Sequence, residues 1–308
     1  MNVIVTANTN EVIMMKVRSK FFTLILTGYC LLYQYGCFPE EKTDISSDPK
    51  SVSNMDEMIC ERILNSILDI QLMIGTFKTN SSNLEQNIRD KQFAVFYRYF
   101  VDTINLYNEY CINDETNQYL LQSEYEYGLK TVSAEWGDIA TVSCAFLEKH
   151  FTDYVSPCIL DFLSIRAKEQ RKQFQHDRSL KITWEELGKR CLDWENHNKR
   201  FPKTPLLSEI RELQKIYLST FLVGLSQSRV LHSESYILDD YDREDLQKVL
   251  EAYQQIVQEH PTSDLAELLE QYLPLLKEND FRDTSEIQDF LKYRGIPSYS
   301  YADYVVDP

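Results

Sequence analysis

Eight glycines and nine prolines are few for 308 residues, and their scarcity excludes an architecture of many short strands joined by tight turns. Long helices are the alternative. Basic side chains are also outnumbered, 32 against 48 acidic, for a net charge of −16. That balance excludes nucleic acid as a partner, because the chain would repel a phosphate backbone. No G-x-S-x-G elbow, phosphate-cradling glycine loop, H-E-x-x-H or dinucleotide fingerprint occurs. The seven cysteines form no C-x-x-C and stand at no zinc-ligand spacing from the scattered histidines. The sequence therefore points to no catalytic residue, no metal and no cofactor. No apolar run reaches the roughly 20 residues that a membrane-spanning helix needs.

Aromatic residues are plentiful, with 20 tyrosines and 15 phenylalanines, so an aromatic core is expected. Lys16, Arg18 and Lys20 precede the apolar run "FFTLILTGYCLL" at 21–32, the outline of a secretory signal. "QYGC" at 34–37 follows. It is similar to a bacterial lipobox, with Gly36 before a candidate lipidated Cys37, although Gln34 and Tyr35 replace the aliphatic and small residues of that pattern. The polar, proline- and serine-bearing stretch after Cys37 has the composition of a tether. The resemblance implies a lipid-anchored protein of the bacterial envelope. Position 38 holds Phe38 rather than aspartate, so outer-membrane delivery is the default that sorting rules imply. Plain secretion, an uncleaved anchor or a cytosolic protein are the alternatives. In an oxidising compartment, Cys60, Cys111, Cys144, Cys158 and Cys191 allow up to two disulfides, with connectivity left open.

From position 54 the pattern is helical. Ile59, Ile63, Ile67, Ile70 and Phe77 keep helical spacing over 54–77, and Phe93, Phe96, Tyr97, Phe100, Ile104, Tyr107 and Cys111 do so over 83–111. A third helix is expected through Tyr119–Leu121. A fourth is expected from Ala134 to Tyr154, through Trp136, Ile139, Ser143 and Phe146. Ser156 and Pro157 open a helix that is predicted to run on, polar and basic, to Arg178. Thr183 and Glu186 form a capping box. Between 226 and 242 the period lapses.

Two stretches echo each other at a separation of 59 residues. Trp194 matches Tyr253, Pro202 matches Pro261, Thr204 matches Ser263, Leu206 matches Leu265 and Ile210 matches Leu269. Each proline ends one helix, and the hydroxyl residue after it is placed to cap the next, with Pro205 expected at a first helical position. The unit is a helix–turn–helix used twice. Both Trp194 and Tyr253 are expected to be buried against the second helix of their own hairpin. Over residues 190–278 this resembles tetratricopeptide-like hairpins of bacterial envelope lipoproteins, with a period of 59 in place of ~34.

The expected fold is all-α, a multi-helix bundle or irregular α-solenoid. Residues 1–37 are an export segment, 38–53 a tether, 54–180 an N-terminal bundle, 181–293 the C-terminal hairpins and 294–308 an extended tail. The acidic run at 239–251 puts Asp240, Asp242, Glu244 and Glu251 at calcium-loop positions. Asp245 replaces the necessary glycine, and a helix first turn accounts for the cluster. "EYEYG" at 124–128 and "YSYADY" at 299–304 are candidate aromatic contacts for sugar or peptide. Residues 166–203 hold 11 Lys/Arg against 6 Asp/Glu, whereas the rest of the chain holds 21 against 42. This basic region either complements acidic neighbours within the same molecule or is a candidate contact surface for an acidic partner or anionic lipid headgroups. The function expected is that of a non-enzymatic interaction or scaffold protein of the envelope, held to the membrane by lipid at Cys37. The alternative is an envelope hydrolase using an Asp/Glu pair that sequence does not expose.

Overall fold

The computed structural model describes residues 49–111, 127–134, 137–233 and 235–297. Cys37, the helix expected through 119–121 and nearly all of the two tyrosine-rich stretches lie outside them. The described part is a predominantly helical, multi-helix arrangement with three small two-stranded hairpins.

Helix α1 (Pro49–Leu68) starts earlier than its apolar spacing suggests, and α2 (Ile70–Ser81) follows after Asp69 alone. The hydrogen-bond ladder runs on across Asp69, from Asp69 N–H to Asn65 and from Met73 N–H to Asp69. Helix α3 (Gln86–Tyr110) buries the expected stripe from Phe93 to Tyr107. A disulfide between Cys60 and Cys111, with Cα atoms 5.5 Å apart, ties α1 to the end of α3. Cys144, Cys158 and Cys191 are free and buried.

The helix expected from Ala134 is replaced by an antiparallel hairpin, β1 (Leu129–Ala134) and β2 (Gly137–Val142), followed by α4 (Cys144–Phe151). Val132, Ala140 and Val142 are buried while Thr131, Ile139 and Thr141 are less so. That alternation, on β-branched residues, is what a half-buried strand requires. Asn108 of α3 completes β2, accepting from Ala140 N–H (2.9 Å) and donating to its carbonyl (2.8 Å). Ser143 is not mid-helix but the cap of α4, accepting from Phe146 N–H at 3.2 Å. Gly128, at φ +69°, has no room for a Cβ, which would stand 2.6 Å from the Phe146 ring.

Helix α5 (Pro157–Gln170) begins at Pro157 as expected but stops well short of Arg178. The chain turns because Phe174 is buried against Tyr217, with centroids 5.2 Å apart. A two-residue turn at Asp177 and Arg178, both at positive φ, then joins β3 (Gln175–His176) to β4 (Ser179–Leu180).

Two helical hairpins follow, α6 (Trp184–Arg200) with α7 (Leu207–Val223), and α8 (Asp240–Glu259) with α9 (Asp264–Glu278). Between them run β5 (Gly224–Leu225) and β6 (Ser228–Arg229), and α10 (Ser285–Tyr293) comes last. The echo in the sequence is an echo in the backbone. Phe201 ends α6 at φ −130°, ψ 60°, and His260 ends α8 at φ −129°, ψ 49°. Each donates its N–H four residues back, to His197 and Ile256, and each carbonyl accepts from the residue three on, Thr204 or Ser263. The units then diverge. Ser263 caps α9 through Ala266 N–H (3.0 Å), whereas the Thr204 hydroxyl accepts from Leu206 N–H and α7 starts only at Leu207. Pro205 therefore precedes the helix instead of opening it. Its carbonyl accepts from Arg98 of α3 at 2.7 Å, and Arg98 also pairs with Glu209. α6 and α8 approach so closely that a Cβ on Gly188 would stand 2.5 Å from the Ile256 side chain.

Candidate functional site: a basic groove between α5 and α6

Residues at helical spacing on α5 (Asp161, Ser164, Ile165, Lys168) and on α6 (Glu186, Asp193, Asn196, Arg200) line the two walls of an open groove of about 950 Å³. Arg171 and Lys172 close it at the end of α5, and Lys199 contributes from α6.

A buried charged cluster ties the two helices together. Arg166, Glu169 and Arg190 are each no more than 5% exposed. Glu169 binds Arg166 at 3.0 Å and accepts from the Trp194 indole N–H at 2.8 Å. Arg190 of α6 donates to the Lys172 carbonyl at 2.6 Å and so holds the end of α5. Burial pushes the Glu169 carboxyl up from its ordinary value, against the pull of Arg166 and Arg190. A carboxylate removed from water in this way needs every partner it has.

At the other end His197 is fully buried and contacts Asp161 at 2.6 Å. Arg200 donates to the same Asp161 oxygen at 2.7 Å. Burial holds the imidazole below its usual value in spite of Asp161, so the ring is neutral and donates from Nδ1. Nε2 is buried without a partner, and protonation there would strand a charged N–H.

The groove's charges are unevenly matched. Lys168 pairs with Asp193 at 3.4 Å, Lys199 with Glu195 at 2.7 Å and Asp264 at 2.8 Å, and Arg200 with Asp161. Glu195 also accepts from the N–H groups of Asp264 and Leu265, which fastens α9 to α6. Arg171 is exposed and bonds only the Ala167 carbonyl, and Lys172 is exposed beside it. Among the described residues neither has a carboxylate partner.

The basic region anticipated at 166–203 thus separates into parts. Lys168, Arg171, Lys172, Lys199 and Arg200 share one groove, Arg166 and Arg190 are buried, and Arg178 sits in the β3–β4 turn. The candidate calcium positions lie along α8, where Asp239 and Asp242 form a reciprocal capping box and Glu244 pairs with Lys248. Among the described residues no three His, Cys, Asp or Glu side chains are grouped to hold a metal ion, and no helix is long and apolar enough to cross a membrane. Trp194 and Tyr253 are both fully buried. Tyr253 meets Tyr272 of its own hairpin and Phe221 of the preceding one, while the ring partner of Trp194 on another helix is Phe162 of α5. The sequence expectation did not include the reach of Trp194 to α5, where its indole N–H is held by the buried Glu169. The i, i+3 pair Arg166–Glu169 is legible in sequence; the reach of Trp194 and Arg190 back to α5 is not.

Three histidines, His150, His197 and His232, are held below their ordinary value by burial and give a pH dependence. The unfolded chain takes up their protons first, so their contribution is fully present above about pH 6.5 and is lost as pH falls toward the folded-state values. Glu169, held high by burial, contributes the opposite slope. Urea midpoints should fall between about pH 7.5 and about pH 5.5, and less steeply in His197→Gln. An equal slope in that variant would contradict the buried neutral imidazole.

Comparison with protein families, curated proteins and solved structures finds no match to this chain.

Proposed function

We propose that this chain is a non-enzymatic helical interaction protein of the bacterial envelope, which docks an acidic segment of a partner protein along the α5–α6 groove. The observation that carries the reading is the pair Arg171 and Lys172, two exposed cations without carboxylate partners at one end of a groove in a chain of net charge −16. Opposite charge in a concave site raises the encounter rate and selects partners. The acids of the groove favour docking over hydrolysis, since Asp161, Asp193 and Glu186 are each held in an ion pair. Glu169 is closed to solvent and occupied by Arg166 and Trp194.

A short fluorescein-labelled polyglutamate peptide should bind the full chain saturably at low salt. The affinity should fall steadily as salt rises from roughly 50 to 500 mM, as the Debye length shortens. No binding at low salt, or binding to phosphatidylglycerol vesicles and none to the peptide, would count against the reading.

The Cys60–Cys111 disulfide supports an oxidising compartment. Anchoring through Cys37 rests on the lipobox-like "QYGC" and the polar stretch that follows it. Metabolic labelling with a palmitate analogue should mark the wild type and leave Cys37→Ser unmarked, and equal labelling of both would remove the lipid anchor.

A further inference from the structure

We propose that a second cavity, between the β5–β6 hairpin and the first turns of α8, binds a neutral saccharide of about one hexose ring through His232, Arg229, Asp242 and the tyrosines Tyr236 and Tyr241. The cavity measures about 330 Å³, at the small end of ligand pockets.

His232 is its centre. The backbone clamps it on both sides, His232 N–H donating to Phe281 (3.0 Å) and its carbonyl accepting from Asp283 (2.8 Å). The ring stacks on Tyr236 with centroids 5.0 Å apart. It is only 5% exposed, yet neither ring nitrogen has a hydrogen-bond partner among the described residues. Leaving two buried polar atoms unmet is costly, and a ligand in the cavity they border would meet them. Burial keeps this imidazole low, against the pull of Asp242 and with the push of Arg229 and Arg282. A neutral imidazole offers one N–H and one lone pair. A hydroxyl both donates and accepts, so adjacent hydroxyls satisfy the two nitrogens together.

The charges around it favour a neutral guest. Arg229 spends its Nε–H on the Ser226 carbonyl (2.9 Å) and has no carboxylate partner among the described residues. Asp242 carries the balancing charge; it accepts from Asp239 N–H and is hydrogen-bonded to the Tyr236 phenol. Asp245 is already neutralised by Lys248 at 2.9 Å. A phosphate would face the Asp242 carboxylate and an ammonium would face Arg229, whereas a polyol can use both signs. Tyr236 and Tyr241 are 42% and 71% exposed, unusually open for such large rings, and each offers an apolar face to the C–H side of a sugar. The opposite wall is held in place from outside: Leu180 N–H donates to the Ser228 hydroxyl and Gln227 N–H to the Arg178 carbonyl.

The test uses the full chain labelled on histidine, with the His232 ring signals assigned from their loss in His232→Gln. The probes are D-glucose, D-galactose, D-mannose and N-acetyl-D-glucosamine, with inorganic phosphate and glycine as charged competitors. At least one sugar should shift the His232 signals saturably. Tyr241→Ala, an exposed change, should weaken that affinity up to about tenfold, and Arg171→Glu, outside this cavity, should leave it unchanged. Failure of all four sugars, or tighter binding of phosphate or glycine at His232, would overturn the proposal. Either result would leave the peptide-docking reading untouched.

Discussion

Trp194→Ala should lower the unfolding free energy by about 3–5 kcal/mol, the usual cost of truncating a fully buried aromatic. The indole fills the space against Phe162 and also supplies one of the hydrogen bonds that make Glu169 tolerable in the interior. Trp194→Phe separates these roles. It keeps most of the ring volume and strands the carboxylate oxygen, at a cost of about 1–3 kcal/mol. Tyr253→Phe removes the hydrogen bond to the Phe221 carbonyl and should cost a similar amount. Among the described residues Trp194 and Tyr253 share no ring or hydrogen-bond partner, so the double phenylalanine variant should show additive losses in urea unfolding. A silent Trp194→Ala would mean that α5 and α6, the two walls of the groove, are not locked by the buried cluster.

Reversing the two unmatched cations, in the double variant Arg171→Glu with Lys172→Glu, should weaken polyglutamate binding by about tenfold to a hundredfold at low salt. Both side chains are exposed and neither holds an ion pair among the described residues, so stability should change by no more than about 0.5 kcal/mol. Reversal at Lys203, which is exposed and outside the groove, serves as the control for bulk charge. Equal loss in that control would reduce the groove to a general electrostatic effect.

Local signals made much of this fold legible. The stripe from Phe93 to Cys111 is long and strictly periodic, and it is buried along its length. The repeated hairpin was readable because proline junctions and capping hydroxyls act within a few residues, and Phe201 and His260 do adopt matching conformations. The β1–β2 hairpin was not readable for a specific reason. Ile139, Ser143 and Phe146 fall at helical spacing, but Ser143 marks the start of α4, and the strand before it is set by pairing Leu129 with Val142. Strand register is decided by a partner, and a single segment does not carry it.

The candidate site was visible only as a bias in charge. Composition located the basic region between 166 and 203, yet Arg166 and Arg190 inside that region are buried and hold the helices together. Which cations face a groove depends on how α5 packs against α6, through contacts such as Glu169 with Trp194, 25 residues apart in sequence. The His232 cavity left even less of a trace. It lies where the hydrophobic period lapses, and its walls come from β5–β6 and α8 while its central ring is fixed by Phe281 and Asp283.

Hydrogen–deuterium exchange of the full chain, with and without the polyglutamate peptide, tests the central claim most directly. Protection confined to residues 161–172 and 193–200, absent from the Arg171→Glu, Lys172→Glu variant, is the result this account predicts. Protection that falls elsewhere, or that persists in the variant, would contradict docking along the α5–α6 groove.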